Sequence, residues 1–179
     1  MRVRQLLSND HRAVNDLLSQ LVTALSHKDV QSSLSFLDLL WARLAVHIRA
    51  EHLHLFPAVV NRLAETRTEA GSSLDEARAL VEGLRTDHEF FMVELAREIG
   101  VLRELTTTND QIKLAAVGDA VRTVKQRLMT HNQIEENQIY RWVKTLLTEP
   151  EQREMASLIN SELENRPPRF SAAAWSNYR

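Results

Sequence analysis

Residues 47–56 read HIRAEHLHLF and residues 131–140 read HNQIEENQIY. Each string sets a histidine four positions before a glutamate and closes on an apolar and an aromatic residue. His47, Glu51, Leu55 and Phe56 correspond to His131, Glu135, Ile139 and Tyr140, an offset of 84 (131 against 47). On a helix, residues four apart lie one turn apart on one face. Each string therefore presents an imidazole and a carboxylate side by side. A second pair of strings is LLSNDHRAVNDLL and GLRTDHEFFMVEL. There Leu7, Asp10, His11 and Leu18 correspond to Leu84, Asp87, His88 and Leu95, an offset of 77 (88 against 11). The pairs alternate along the chain, so the sequence reads as two related helical hairpins.

Apolar residues between these strings recur at steps of three and four, the helical period. The pattern predicts long helices over about 9–26, 30–65, 74–106 and 110–147, and a short fifth near 149–165. Ser73 with Glu76 reads as a capping box for the third helix. Thr148 with Glu151, and Pro150 between them in the first turn, reads as the start of the fifth. Short links favour antiparallel neighbours, so the expected architecture is an all-α, up-down-up-down four-helix bundle. Residues 1–165 form that unit with its fifth helix, and 166–179 form a tail. Pro167 and Pro168 end any helix there, and Pro57 is expected to kink the second helix. Trp175 and Tyr178 in the tail can dock on the bundle or on a partner, or belong to an adaptable surface segment.

The inward seams carry polar residues in register with Leu and Val. The first runs His11, Val14, Leu18, Leu21 and Leu25. The second runs Leu37, Leu40, Leu44, His47, Glu51, His54 and Ala58. The third runs Val81, Leu84, His88, Phe91 and Leu95. The fourth runs Val117, Val121, Val124, Leu128, His131, Glu135, Gln138 and Trp142. Six core-directed imidazoles and carboxylates are costly to bury unless they are paired or bind an ion.

Composition narrows the chemistry. The 179 residues contain 22 Lys+Arg and 24 Asp+Glu, a net charge of -2. This gives no excess cation for nucleic-acid binding. With no cysteine, disulfides, thiolate metal sites and a cysteine nucleophile are excluded. Four Gly and four Pro disfavour a β-sandwich or a Gly-rich phosphate loop. No stretch approaches the roughly 20 apolar residues of a membrane span. The absence of an apolar leader at MRVRQLLSNDHR makes a cytoplasmic address the expectation.

Four imidazoles and two carboxylates suit a pair of six-coordinate first-row ions, with Fe, Mn or Zn favoured over Cu(I). A hydroxo or oxo bridge would offset the charge that two glutamates leave. Asp10 and Asp87 can accept from an imidazole N–H, on a neighbour's histidine, or serve as helix caps.

Through DHRAV, HIRAEHLHLFP, DHEFF and HNQIEENQIY, residues 5–147 resemble the haemerythrin-like (HHE cation-binding) domain family. The resemblance implies a four-helix bundle around a non-haem di-iron centre, with His11, His47, Glu51, His88, His131 and Glu135 as ligands. It also implies binding of, sensing of or reaction with oxygen, peroxide or nitric oxide, with Zn or Mn as substitute ions. The sequence departs from the animal oxygen carriers. Their third helix has His-x3-His, where this chain has Met92. Their fourth has His-x4-Asp, where this chain has His-x3-Glu. One imidazole fewer leans away from simple oxygen carriage.

His54, one turn past Glu51, is a candidate replacement ligand. Met92 is a candidate pocket residue, with gap-filling in the core as its ordinary role. Phe56, Tyr140 and Trp142 are core residues first, and Tyr140 can also donate to a bound oxygen species. His52 sits beside the seam, in a supporting or surface role, and His27 lies in a turn. Other readings are a metal-stabilised iron- or oxygen-sensing module without turnover, a ferritin-like di-iron oxidase using Glu51-x2-His54, and a zinc hydrolase. A homo-oligomer is compatible with any of them.

Overall fold

The computed structural model describes residues 2–66 and 71–176, with backbone alone for 71–73. The described residues form helices and contain no strand. Helix α1 spans Val3–Ser26, and α2 spans Val30–Ala50. A π-helical turn, π1 (Glu51–Leu55), joins α2 to α3 (Phe56–Glu65). Helix α4 spans Gly71–Leu105, and α5 spans Gln111–Ile134. A second π turn, π2 (Glu135–Ile139), leads into α6 (Tyr140–Leu146), and α7 (Glu149–Leu163) and α8 (Ala172–Ser176) follow.

Local chemistry sets the ends. The Asp29 carboxylate accepts from the Ser32 N–H at 3.0 Å and starts α2. Asp110 accepts from the N–H groups of Ile112 and Lys113, both at 3.0 Å, and starts α5. The Thr148 N–H donates to Glu151 Oε2 at 2.7 Å, the expected capping box of α7. The α4 backbone is helical from Gly71, ahead of the expected start. The Ser73 side chain, and with it the expected box with Glu76, lies outside the described residues, as does Tyr178.

Helix α1 packs on α2, α2 on α4, α4 on α5, and α5 back on α1, which closes a helical bundle. Helix α7 lies across α1 and α2. Two apolar clusters fill the bundle. One includes Leu18, Leu40, Leu44, Phe91 and Leu128. The other includes Leu7, Leu55, Leu84, Ile139 and Ile159. The polar seam residues fall between them on every helix: His11 between Leu7 and Leu18, His88 between Leu84 and Phe91. They form a polar layer clamped by apolar packing on both sides.

The seams drift where the helical period breaks. Past Glu51 the expected inward residues were His54 and Ala58, but Leu55, Phe56 and Val59 are the buried ones. Past Glu135 the expected residues were Gln138 and Trp142, but Ile139, Tyr140 and Val143 are buried. Both seams shift by one residue because each π turn holds one more residue than an α turn. The Phe56 N–H bonds back to the Glu51 carbonyl, and the Tyr140 N–H to that of Glu135. Pro57 stands just past the π1 turn, at the start of α3. Proline is not the general cause of such a turn, since Arg141 stands at the equivalent position of the other half.

Deleting the exposed Leu53 should convert π1 to a regular α turn and keep the downstream seam in phase. That variant is expected to retain a cooperative thermal transition by circular dichroism. Deleting the exposed Ala96 from α4 turns Ile99, Leu102 and Leu105 off the core instead. At about 1.5–3 kcal/mol each this approaches the whole stability of a small domain, so the transition should be lost.

Candidate metal centre

The six seam residues meet in the polar layer. His11, His47, Glu51 and Glu135 offer ligand atoms that all lie within 4.8 Å of one another, and so do Glu51, His88, His131 and Glu135. All six are buried. Both groups contain both glutamates, so the two carboxylates lie between a pair of imidazoles on either side.

The outer ring nitrogens are fixed from behind. His47 Nδ1 donates to Asp10 Oδ2 at 2.8 Å, and His131 Nδ1 to Asp87 Oδ2 at 3.2 Å. His11 Nδ1 donates to Glu136 Oε1 at 3.1 Å. His88 Nδ1 stands 2.9 Å from His52 Nε2. A carboxylate accepts, so each imidazole it holds keeps a proton outward on Nδ1 and turns its Nε2 inward. Each aspartate thus serves a neighbour's histidine rather than capping its own helix. Arg43 grips Asp10, and Arg127 Nε donates to Asp87 at 2.6 Å.

The inward atoms face one another without enough protons. His11 and His47 Nε2 lie 3.2 Å apart, and His88 and His131 Nε2 lie 2.9 Å apart. The Nε2 atoms stand 3.1 to 3.4 Å from the Glu51 and Glu135 oxygens. None of those four oxygens receives a hydrogen bond among the described residues. Imidazole nitrogens and carboxylate oxygens converge in a dry interior, an arrangement that bound protons or cations relieve. The donor set therefore fits cation binding.

Proton affinities follow from the same crowding. Burial and the adjoining Glu135 raise the Glu51 carboxyl. Burial lowers an imidazole, yet the Glu51 and Asp10 carboxylates raise His47 well above its ordinary value. The Glu135 and Glu136 carboxylates likewise outweigh burial at His11, and Glu135 does so at His131. His88 goes the other way, to about 2, through burial and the neighbouring His131. Burial and the Glu135 charge push the Tyr140 phenol far up, so it stays protonated. Its oxygen lies 3.4 Å from His11 Nε2.

Two sequence candidates fall elsewhere. His54 is carried off the seam by π1; its Nε2 lies 3.9 Å from Glu162 on α7, and it belongs to neither group. Met92 is half-buried against the apolar core, and its carbonyl accepts from the Trp41 indole at 3.1 Å. Sequence reading missed Arg43 and Arg127, although they too repeat at offset 84, four residues before His47 and His131. The pairing of His52 with His88 was left open between support and surface.

Among the described residues, an all-helical bundle with two overlapping His/Glu groups at its centre forms a helical protein able to hold cations. A family model for the hemerythrin HHE cation binding domain matches residues 2–143. The chain belongs to that family. No curated protein and no solved structure gives a match. No helix among the described residues is long and apolar enough to cross a membrane.

Cations entering the cluster displace protons from His11, His47 and His131. Divalent-ion affinity is expected to fall as pH drops from about 8 to about 6. Competition with a chelator at both pH values reads this directly. Asp10→Ala frees the His47 ring and should weaken binding roughly 10–100-fold in the same assay.

Proposed function

We propose that the chain is a non-haem di-iron protein that binds, senses or reacts with oxygen, peroxide or nitric oxide. The single observation behind this is the sharing of Glu51 and Glu135 by both ligand groups. Two carboxylates common to two sets of imidazoles match a bridged pair of ions better than a lone one. In this reading His11 and His47 would help hold one iron and His88 and His131 the other, with Glu51 and Glu135 available to both. Zn and Mn are the expected substitutes. The order in which α1, α2, α4 and α5 pack supports an up-down-up-down antiparallel four-helix bundle. Residues 1–165 form the functional unit and 166–179 an appended tail. The expected address is cytoplasmic.

A bound iron pair supplies the redox and Lewis-acid chemistry that such ligands need. The protein's own groups do the rest. Asp10, Asp87 and Glu136 lock three imidazoles with Nε2 inward. Apolar layers above and below exclude bulk water. The two ends are not alike, for Tyr140 stacks beside His11 at 6.1 Å between ring centres while Phe56 stacks beside His88 at 6.0 Å. Tyr140 therefore places a protonated phenol at one end, able to donate to a small ligand held there. Phe56 leaves the other end apolar. The ferritin-like reading loses its Glu-x2-His element, because His54 turns toward Glu162.

Protein produced with iron should carry two irons per chain and absorb in the near-ultraviolet and visible when oxidised. His47→Ala and Glu135→Ala should lose both properties. Elemental analysis with an optical spectrum reads the result, before and after exposure to peroxide and to oxygen. A colourless, iron-free wild type would contradict the proposal.

A further inference from the structure

Residues 149–176 lie beyond the family match, yet they reach back to the metal centre. Helix α8 lays Trp175 over the Arg43 side chain, with the guanidinium carbon 5.0 Å from the ring centre. Arg43 Nη1 also donates to the Trp175 carbonyl at 3.3 Å. The other arm of Arg43 grips Asp10, and Asp10 accepts from His47. The segment is itself anchored. The Trp175 indole donates to the Leu163 carbonyl at 3.2 Å, and Arg169 binds Asp38 through two contacts of 3.1 Å.

The second hairpin supplies an internal comparison. Arg127, Asp87 and His131 repeat the same chain of contacts, but among the described residues the tail makes no contact with them. Arg127 lies over Phe90 at 4.3 Å instead. The consequence is a difference in burial. The Arg43 and Asp10 side chains are 2% and 5% exposed, whereas those of Arg127 and Asp87 are 39% and 19% exposed. An ion pair kept from water is screened less and holds its geometry better.

We propose that Trp175 is a positioning residue for one half of the centre. It seals and orients Arg43, Arg43 orients Asp10, and Asp10 fixes the His47 ring toward its ion. The C-terminal segment thereby makes the two ion positions unequal, with the His11/His47 position the tighter and slower to release. This rests on the reading of the cluster as a two-ion site.

Full-length ion-free protein titrated with Co(II) against a chelator separates the cases. Wild type is expected to bind two ions with distinct constants. Trp175→Ala should weaken the tighter ion on the order of tenfold and leave the other unchanged. Trp175→Phe keeps a ring over Arg43 and should restore most of the affinity. Arg43→Lys keeps the charge but loses the fork, and should reproduce the one-sided loss if Trp175→Ala fails to fold. Arg127→Ala should weaken the looser ion instead. Unchanged constants, or equal loss at both positions, in the Trp175 and Arg43 variants would overturn the inference alone. A wild type that binds no ion would overturn the two-ion reading with it.

Discussion

Six inward donors crowded into a dry layer are the constraint around which this molecule is built. Four imidazole nitrogens and four carboxylate oxygens stand within about hydrogen-bond range of each other with too few protons to pair them. In a low-dielectric interior that arrangement is unfavourable without positive charge. The surrounding structure holds it in place nonetheless. Leu, Val and Phe layers clamp it above and below, and carboxylates behind three of the imidazoles prevent the rings from turning away. Protons supply the compensating charge in part, which is why three of the histidines are shifted upward. Bound cations would supply the rest.

The twofold repeat explains how a single chain gathers so many donors, and its imperfections carry the individuality. Each half contributes an Asp-His pair, an Arg-x3-His-x3-Glu ladder and a π turn. The π turns matter because they let Glu51 and Glu135 stay inward while the next turn re-seats its apolar residues. Where the halves differ, the two ends of the site differ. Glu136 faces His11 where His52 faces His88. Tyr140 stands where Phe56 stands, and Arg43 lies beneath Trp175 while Arg127 lies over Phe90.

The helices and the inward positions of the six seam residues were legible in the sequence because the helical period is unbroken from each helix start to Glu51 and Glu135. Beyond those glutamates the same reading failed by one residue. It placed His54 and Gln138 on the inner face because an extra residue in a π turn leaves no mark in residue type. The roles of Asp10 and Asp87 depended on which neighbour's ring lay within reach, which only packing decides. Arg43 and Arg127 were available at offset 84 but are ordinary solvated residues by type. The docking of Trp175 was one of several open readings, since a proline-broken tail gives no periodic signal.

The most direct measurement is anomalous diffraction from iron-loaded crystals. The account predicts two iron peaks in the polar layer, each about 2.0–2.3 Å from two imidazole Nε2 atoms and both flanked by Glu51 and Glu135. A single peak, or peaks confined to the surface with the six donors still packed on one another, would contradict it.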